Sequence, residues 1–361
     1  MDDVVRKKLL DRNSKLIDMV IERIKRDFLD KIVLVGITGS FLHDDFHEKS
    51  DLDLCIVHDT ENFGKLWETF IFDDVVYSFF YISWGNLERK AALERVGTSG
   101  LTDTKIIYCA KPEYLEKFNR LRENALMLMA EPISKISLER ARKHIDAAKL
   151  EYANTMLSNS IGAVRYASSC LIYNLINALV SLNNTCIKQG IKKYLDEVLT
   201  YKYLPDGFYK KYMSVIESKT VCEIQKTSLI LLNSVTHLHD TMCQKYILKP
   251  VPSGGNLAGS YELLQDALNK VSASITSKNK SYMLHAARNA QGALNEVAEN
   301  SGIKAFDVMQ YFDTDAPEMF KDEFINKMNE YKKEYEKAGC NILRFNTFEE
   351  LYDYCMGAKQ F

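Results

Sequence analysis

The 361 residues are 46% apolar and 27% charged with only 16 Gly and 6 Pro, which excludes a fibrous or largely disordered chain and suits two or three globular domains. A formal charge of −2 supplies no overall field for a polyanion and argues against a dedicated nucleic-acid or membrane-surface binder. The best apolar run, 170–182, is broken by Asn174 and Asn177, and the charged start of the chain lacks the apolar stretch of a signal peptide, so a cytoplasmic protein without membrane spans is expected. The 8 cysteines lie in apolar surroundings without any C-x-x-C spacing and read as buried free thiols.

Leu10, Ile17, Val20, Ile21, Ile24 and Phe28 recur at helical intervals among charged residues, which predicts an amphipathic helix over 4–28. The β-branched run 32–38 predicts a strand buried on both faces and ended by Gly39-Ser40. Leu52, Leu54, Ile56 and Val57 mark a second strand, 75–82 a third and 105–109 a fourth, with helices between them. From about Pro132 helical periods take over, at 137–158, 161–189, 209–218 and 221–246. The prolines and glycines of 250–255 block a helix and read as a linker. Helices follow over 260–272, 280–300 and 317–337, then a strand at 341–345 and a last short helix. The expected fold class is α+β, with an α/β domain and small mixed sheet over 1–130, an all-helical bundle over 131–250, and a mainly helical region of undefined role over 256–361.

The residues that carry chemistry are Gly36-Ile37-Thr38-Gly39-Ser40, a loop, and Ser50-Asp51-Leu52-Asp53-Leu54. At the end of a buried strand, a Gly-Ser turn lets backbone N–H groups and a hydroxyl approach a phosphate, since glycine has no side chain to hold the ligand away. Asp51 and Asp53 lie two apart on an extended segment, so both carboxylates project from one face while Leu52 and Leu54 enter the core. Two parallel carboxylates repel unless a divalent cation lies between them, the arrangement that clamps Mg²⁺ for nucleotidyl transfer.

Buried strand, Gly-Ser, connecting loop and Asp-Leu-Asp together resemble the nucleotidyltransferase superfamily, the fold of DNA polymerase β and the antibiotic nucleotidyltransferases. The resemblance implies that Gly39 and Ser40 bind the triphosphate, that Asp51 and Asp53 are catalytic ligands of Mg²⁺, and that an NTP, with ATP as the default, gives up its nucleoside monophosphate and releases pyrophosphate. Tyr114-Leu115-Glu116-Lys117, Leu150-Glu151-Tyr152-Ala153-Asn154 and Leu204-Pro205-Asp206-Gly207-Phe208 fall in the order of similar segments in the kanamycin nucleotidyltransferases, extending the likeness over 1–250. That narrower likeness implies Glu151 as general base, a small-molecule hydroxyl acceptor such as an aminoglycoside, a role in antibiotic resistance, and a homodimer.

The chain also departs from the pattern. Ser78 stands where a third carboxylate is expected; Asp73 and Asp74 just before the strand substitute for it only if the register is shifted, and are otherwise turn residues. His43 and Thr155 replace an arginine and a lysine of the kanamycin enzymes. These departures keep open a catalytically weak or inactive nucleotide-binding regulator, beside a transferase acting on protein or RNA. Other candidates read as ordinary structure: His43, Asp44, Asp45, His47 and Glu48 as a solvated loop, and His237 and His239 as poor joint ligands. Arg142, Lys149 and Arg165 read as surface charge and Tyr77, Phe79, Phe80, Tyr81 and Trp84 as core, with Trp84 also a candidate wall of the acceptor pocket. Arg288-Asn289 lacks the spaced histidine of a helical ribonuclease.

Overall fold

The computed structural model describes residues 3–42, 46–59, 69–94, 97–188, 190–246, 252 and 254–357. It divides into two compact units, Met1–Ile247 and Leu248–Phe361. The first begins with helix α1 (Asp3–Asp27), whose Leu9, Leu16, Val20 and Ile24 are buried. Strands β1 (Ile32–Ile37), β2 (Leu54–His58), β5 (Phe80–Ser83) and β6 (Lys105–Cys109) form one mixed sheet in the order β5-β2-β1-β6. The pairings are antiparallel except β2 with β5, in which Cys55 faces Phe80. β1 is buried over its first five residues because the sheet is covered on both sides, as its unbroken apolar run requires. Leu16, Val20 and Ile24 of α1 pack on Val35, Leu54 and Ile56 on one face. Val33, Cys55 and Val57 meet Leu87, Ala91 and Phe118 on the other.

The predicted strand over 75–82 is two strands. β3 (Phe70–Phe72) and β4 (Val75–Tyr77) form a separate antiparallel pair, and the chain breaks at Ser78-Phe79 before β5 joins β2. Asp73 and Asp74 make the turn between β3 and β4 with φ of 54° and 55°, a region asparagine and aspartate tolerate better than most residues. The second strand starts at Leu54 rather than Leu52, although Thr38 N–H still donates to the Asp53 carbonyl at 3.0 Å.

Helices α2 (Trp84–Ala91), α3 (Ser99–Thr102) and α4 (Pro112–Ala130) complete the region around the sheet. Next come α5 (Lys135–Met156), α6 (Ile161–Leu182), α7 (Tyr194–Val198), α8 (Phe208–Glu217) and α9 (Val221–Tyr246). Leu138 and Ile145 of α5, Leu171, Leu175 and Leu179 of α6, and Leu231 and Val235 of α9 share one core. α6 stops short of the predicted 189 because Asn183 turns its amide back onto the Leu179 carbonyl at 2.8 Å and Asn184 adopts a φ of 48°. α5 starts with a reciprocal cap, Ser134 accepting from Ser137 N–H and Ser137 Oγ accepting from Ser134 N–H. Ser134→Ala is expected to cost about 1 kcal/mol in a urea denaturation series.

The second unit packs α10 (Gly254–Leu257), α11 (Ser260–Thr276), α12 (Lys280–Ser301) and α13 (Pro317–Lys337) around Val271, Ala287, Phe320, Phe324 and Tyr331, with α14 (Phe348–Met356) after them. The strand expected at 341–345 does not form; the Leu343 N–H is held instead by Glu262 Oε1 at 2.8 Å. Of the expected linker, Pro250, Val251 and Ser253 lie outside the described residues. Among the described residues, no helix is long and apolar enough to cross a membrane. All eight cysteines are free, but Cys222 and Cys355 are exposed rather than buried.

Candidate active site

The end of β1 and the start of β2 lie side by side, since Ile37 pairs with Leu54. This pairing brings the Gly-Ser turn against the acidic segment. Gly39 has a φ of 71°, and a Cβ at that position would sit 1.9 Å from Asp53 Oδ2 and 2.8 Å from its Cγ. Glycine is therefore required twice, by its backbone conformation and by the carboxylate lying over it. Gly39–Phe41 form a single 3₁₀ turn closed by Leu42 N–H on the Gly39 carbonyl at 3.1 Å.

Asp51 and Asp53 are half-buried and alternate with buried Leu52 and Leu54. Among the described residues neither carboxylate has a hydrogen-bond or ion-pair partner. Burial, and after it the neighbouring Asp51 charge, pushes the Asp53 carboxyl up to about 6. Two half-buried acids with no cation of the protein's own are a donor set that fits one hard divalent ion, the remaining ligands coming from substrate phosphate and water. Among the described residues no group of three His, Cys, Asp or Glu side chains could hold a metal. Ser78 is exposed and its hydroxyl meets Thr69 Oγ1 at 3.4 Å. Asp73 is drawn to Lys8 and Arg12 at 3.5 and 3.8 Å and Asp74 to Lys49 at 3.8 Å, so the two turn acids face other cations.

Sequence reading missed Arg12. Its guanidinium is buried, donates to the Ser50 carbonyl at 3.0 Å and lies 5.6 Å from the centre of the Tyr77 ring. It thereby fixes the residue just before Asp51 to α1. The available signal was its spacing: Arg12 falls four residues before Leu16, on the apolar face of α1. Ser50 is held further by its Oγ, which accepts from His47 N–H at 2.9 Å, while Phe46 stacks on Phe41 with ring centres 4.1 Å apart. His43, Asp44 and Asp45 lie outside the described residues.

Glu151 stands on α5 with its carboxylate accepting from Asn154 Nδ2 at 3.0 Å. Among the described residues it has no hydrogen bond or ion pair to the Gly39–Asp53 group. Thr155 is buried and donates to the Tyr152 carbonyl at 2.7 Å. Trp84 is not at this end of the sheet: it follows the last residue of β5, lies in the core beside Tyr114 and carries Lys117 Nζ 4.5 Å from its ring centre. Phe80, expected in the core, is 50% exposed and is covered by Lys90 Nζ 5.0 Å from its ring.

A comparison with protein families finds a match to the nucleotidyltransferase domain over this part of the chain. Residues 17–143 match that domain. The nucleotidyltransferase match contains Gly39, Ser40, Asp51 and Asp53 and ends before Glu151. Among solved structures, a nucleotidyltransferase-like protein from Exiguobacterium sibiricum is similar at 12% identity and a TM-score of 0.32, over 62% of this chain and 75% of its own. No curated protein matches the chain. The match supports nucleotidyl transfer as the general chemistry of the domain, with an NTP as substrate.

Proposed function

We propose that the protein transfers a nucleoside monophosphate from an NTP, ATP being the first choice, to a hydroxyl of a small molecule, with Mg²⁺ as cofactor and release of pyrophosphate. The observation that carries this reading is the contact of Gly39 with Asp53 inside the segment that matches the nucleotidyltransferase domain. Asp51 and Asp53 would hold the cation, which when bound supplies charge neutralisation at the triphosphate oxygens. Gly39 and Ser40 offer a backbone that approaches the phosphates without steric obstruction, and the buried carboxylate segment holds its place through Arg12 and Leu52. The remaining work is positioning the acceptor oxygen in line with the α-phosphorus, which needs no covalent intermediate on the protein.

Glu151 is proposed as the base that takes the acceptor proton, within a helical domain over 131–250 that follows the catalytic one over 1–130. Glu151→Gln is expected to lower the transfer rate roughly a hundredfold with little change in NTP affinity. Single-turnover kinetics beside calorimetric titration would show it; an unchanged rate returns Glu151 to the helix surface. A homodimer, carried by the same resemblance, is tested by light scattering of the purified chain.

The deciding experiment is pyrophosphate release with Mg²⁺, each of the four NTPs and a panel of hydroxyl acceptors that includes aminoglycosides, with Asp51→Asn as the blank. Acceptor-dependent release that disappears in the variant supports the reading. Nucleotide binding without release would favour a regulator instead, the alternative to which the exposed Ser78 and the engaged Asp73 and Asp74 give specific support.

A further inference from the structure

We infer that a second cavity in the first unit, of about 530 Å³ and walled by the end of α2, the start of α5 and the end of α6, binds a small phosphate-bearing molecule. Neither Asp51 nor Asp53 is among its wall residues. Part of its wall nonetheless lies at the same end of the sheet. β5 runs parallel to β2, so α2 leaves β5 at the far end and runs back, placing Lys90 over Phe80, the first residue of β5. The wall residues 92–94, 97 and 98 follow directly.

The charges of the wall do not cancel. Arg140 Nη1 donates to the carbonyls of Ala92 and Leu93 at 3.3 and 3.1 Å, and Nη2 to Asn184 Oδ1 at 2.9 Å and Ser137 Oγ at 3.4 Å. All four partners are neutral, and Nε is buried with no partner. Among the described residues no carboxylate comes within ion-pair distance of this guanidinium. Burial draws its pKa down, yet a guanidinium keeps its proton at any ordinary pH, so the uncompensated charge stays. Lys143, one turn further along α5, is exposed and likewise has no ion-pair partner among the described residues. Of the two carboxylates of the wall, Glu94 is neutralised within it by Arg89 at 3.4 Å, and Glu139 pairs with Lys135, outside the wall, at 3.8 Å. Two uncompensated cations, with a lysine free to reach inward, match the charge of a phosphate monoester. A polycation would find the opposite field.

Phosphate of this kind has two sources, a separate phosphorylated molecule or the nucleotide's own tail. Calorimetric titration of the full-length protein with inorganic phosphate, without metal, tests the site independently of any transfer activity. Wild type and Asp51→Asn are expected to bind phosphate equally, and Lys143→Gln, a change at an exposed position, to bind it about tenfold more weakly or worse. Competition in the Asp51→Asn protein then distinguishes the sources: displacement of phosphate by metal-free ATP assigns the site to the nucleotide, and persistence assigns it to a separate phosphorylated molecule. Failure of wild type to bind phosphate at millimolar concentration, or unchanged binding in Lys143→Gln, overturns the inference. Loss of phosphate binding in Asp51→Asn but not in Lys143→Gln overturns it too, and moves the anion to the carboxylate end.

Discussion

Asp53→Asn should abolish transfer and at the same time make the metal-free protein more stable. The loss of rate follows from the proposed role: removing one of two carboxylates that hold the cation withdraws several kcal/mol of charge stabilisation, about a thousandfold in rate. The gain in stability follows from burial. The Asp53 carboxyl, pushed up to about 6, is easier to ionise in the unfolded chain than in the folded one. Its raised value means that the wild type enjoys the full benefit of the neutral acid below the ordinary carboxylate range near pH 4. That benefit is lost as the pH rises through about 6. Asparagine has no charge to desolvate. Thermal or urea unfolding without metal should therefore show no difference near pH 4 and an advantage of about 1–2 kcal/mol for the variant at pH 8, after allowance for solvent around a half-buried group. Adding Mg²⁺ at pH 8 should raise the wild-type midpoint and leave that of the variant in place. A variant less stable than wild type at pH 8 would mean that Asp53 makes a stabilising contact in the folded chain and would remove the argument for an unneutralised pair.

Gly39→Ala should be nearly as severe for function and opposite in sign for stability. A φ of 71° costs a residue with a Cβ about 1–2 kcal/mol. The new methyl also meets Asp53 Oδ2, Cγ and Cβ at 1.9, 2.8 and 3.1 Å, so rotating the carboxylate tip away is not enough. The expected cost is about 2–3 kcal/mol in all, with nucleotide binding lost because turn and acid can no longer share the space. A double-mutant cycle isolates the contact. In an Asp53→Ala background the two nearest atoms are gone and only the Cβ at 3.1 Å remains, so Gly39→Ala should cost less there by about 1 kcal/mol. Additive effects would show that the cost comes from the backbone alone.

Much of this arrangement was legible in the sequence, for reasons specific to particular residues. The run from Ile32 to Ile37 has no polar residue, which only a strand covered on both faces requires, and Asp-Leu-Asp-Leu shows its alternation of half-buried and buried positions directly. The split at Ser78-Phe79 was not legible. Both halves of 75–82 have strand composition, and the break is decided by partners, β3 for one and β2 for the other, of which β3 is a three-residue strand with little pattern of its own. The stretch at 341–345 failed for the converse reason: Ile342, Leu343 and Phe345 suit a strand, but the Leu343 N–H is taken by a side chain of α11. Arg12 escaped because a charged residue on a helix is read as solvated, whereas this one is buried by a carbonyl and an aromatic ring from far along the chain. The basic cavity was equally hidden, since Arg140 and Lys143 acquire meaning only when α5 is set against the end of α2.

The Arg12 contact spans 38 residues to Ser50 and also touches Asp73 and Tyr77, so position 12 is bound more closely to the acidic segment than to its neighbours on α1. Natural variation should record that bond. Among relatives, changes at 12, 73 and 77 should arise together, while the exposed positions beside Arg12 drift freely, and a lone replacement of Arg12 should segregate with loss of catalysis although it lies in the first helix.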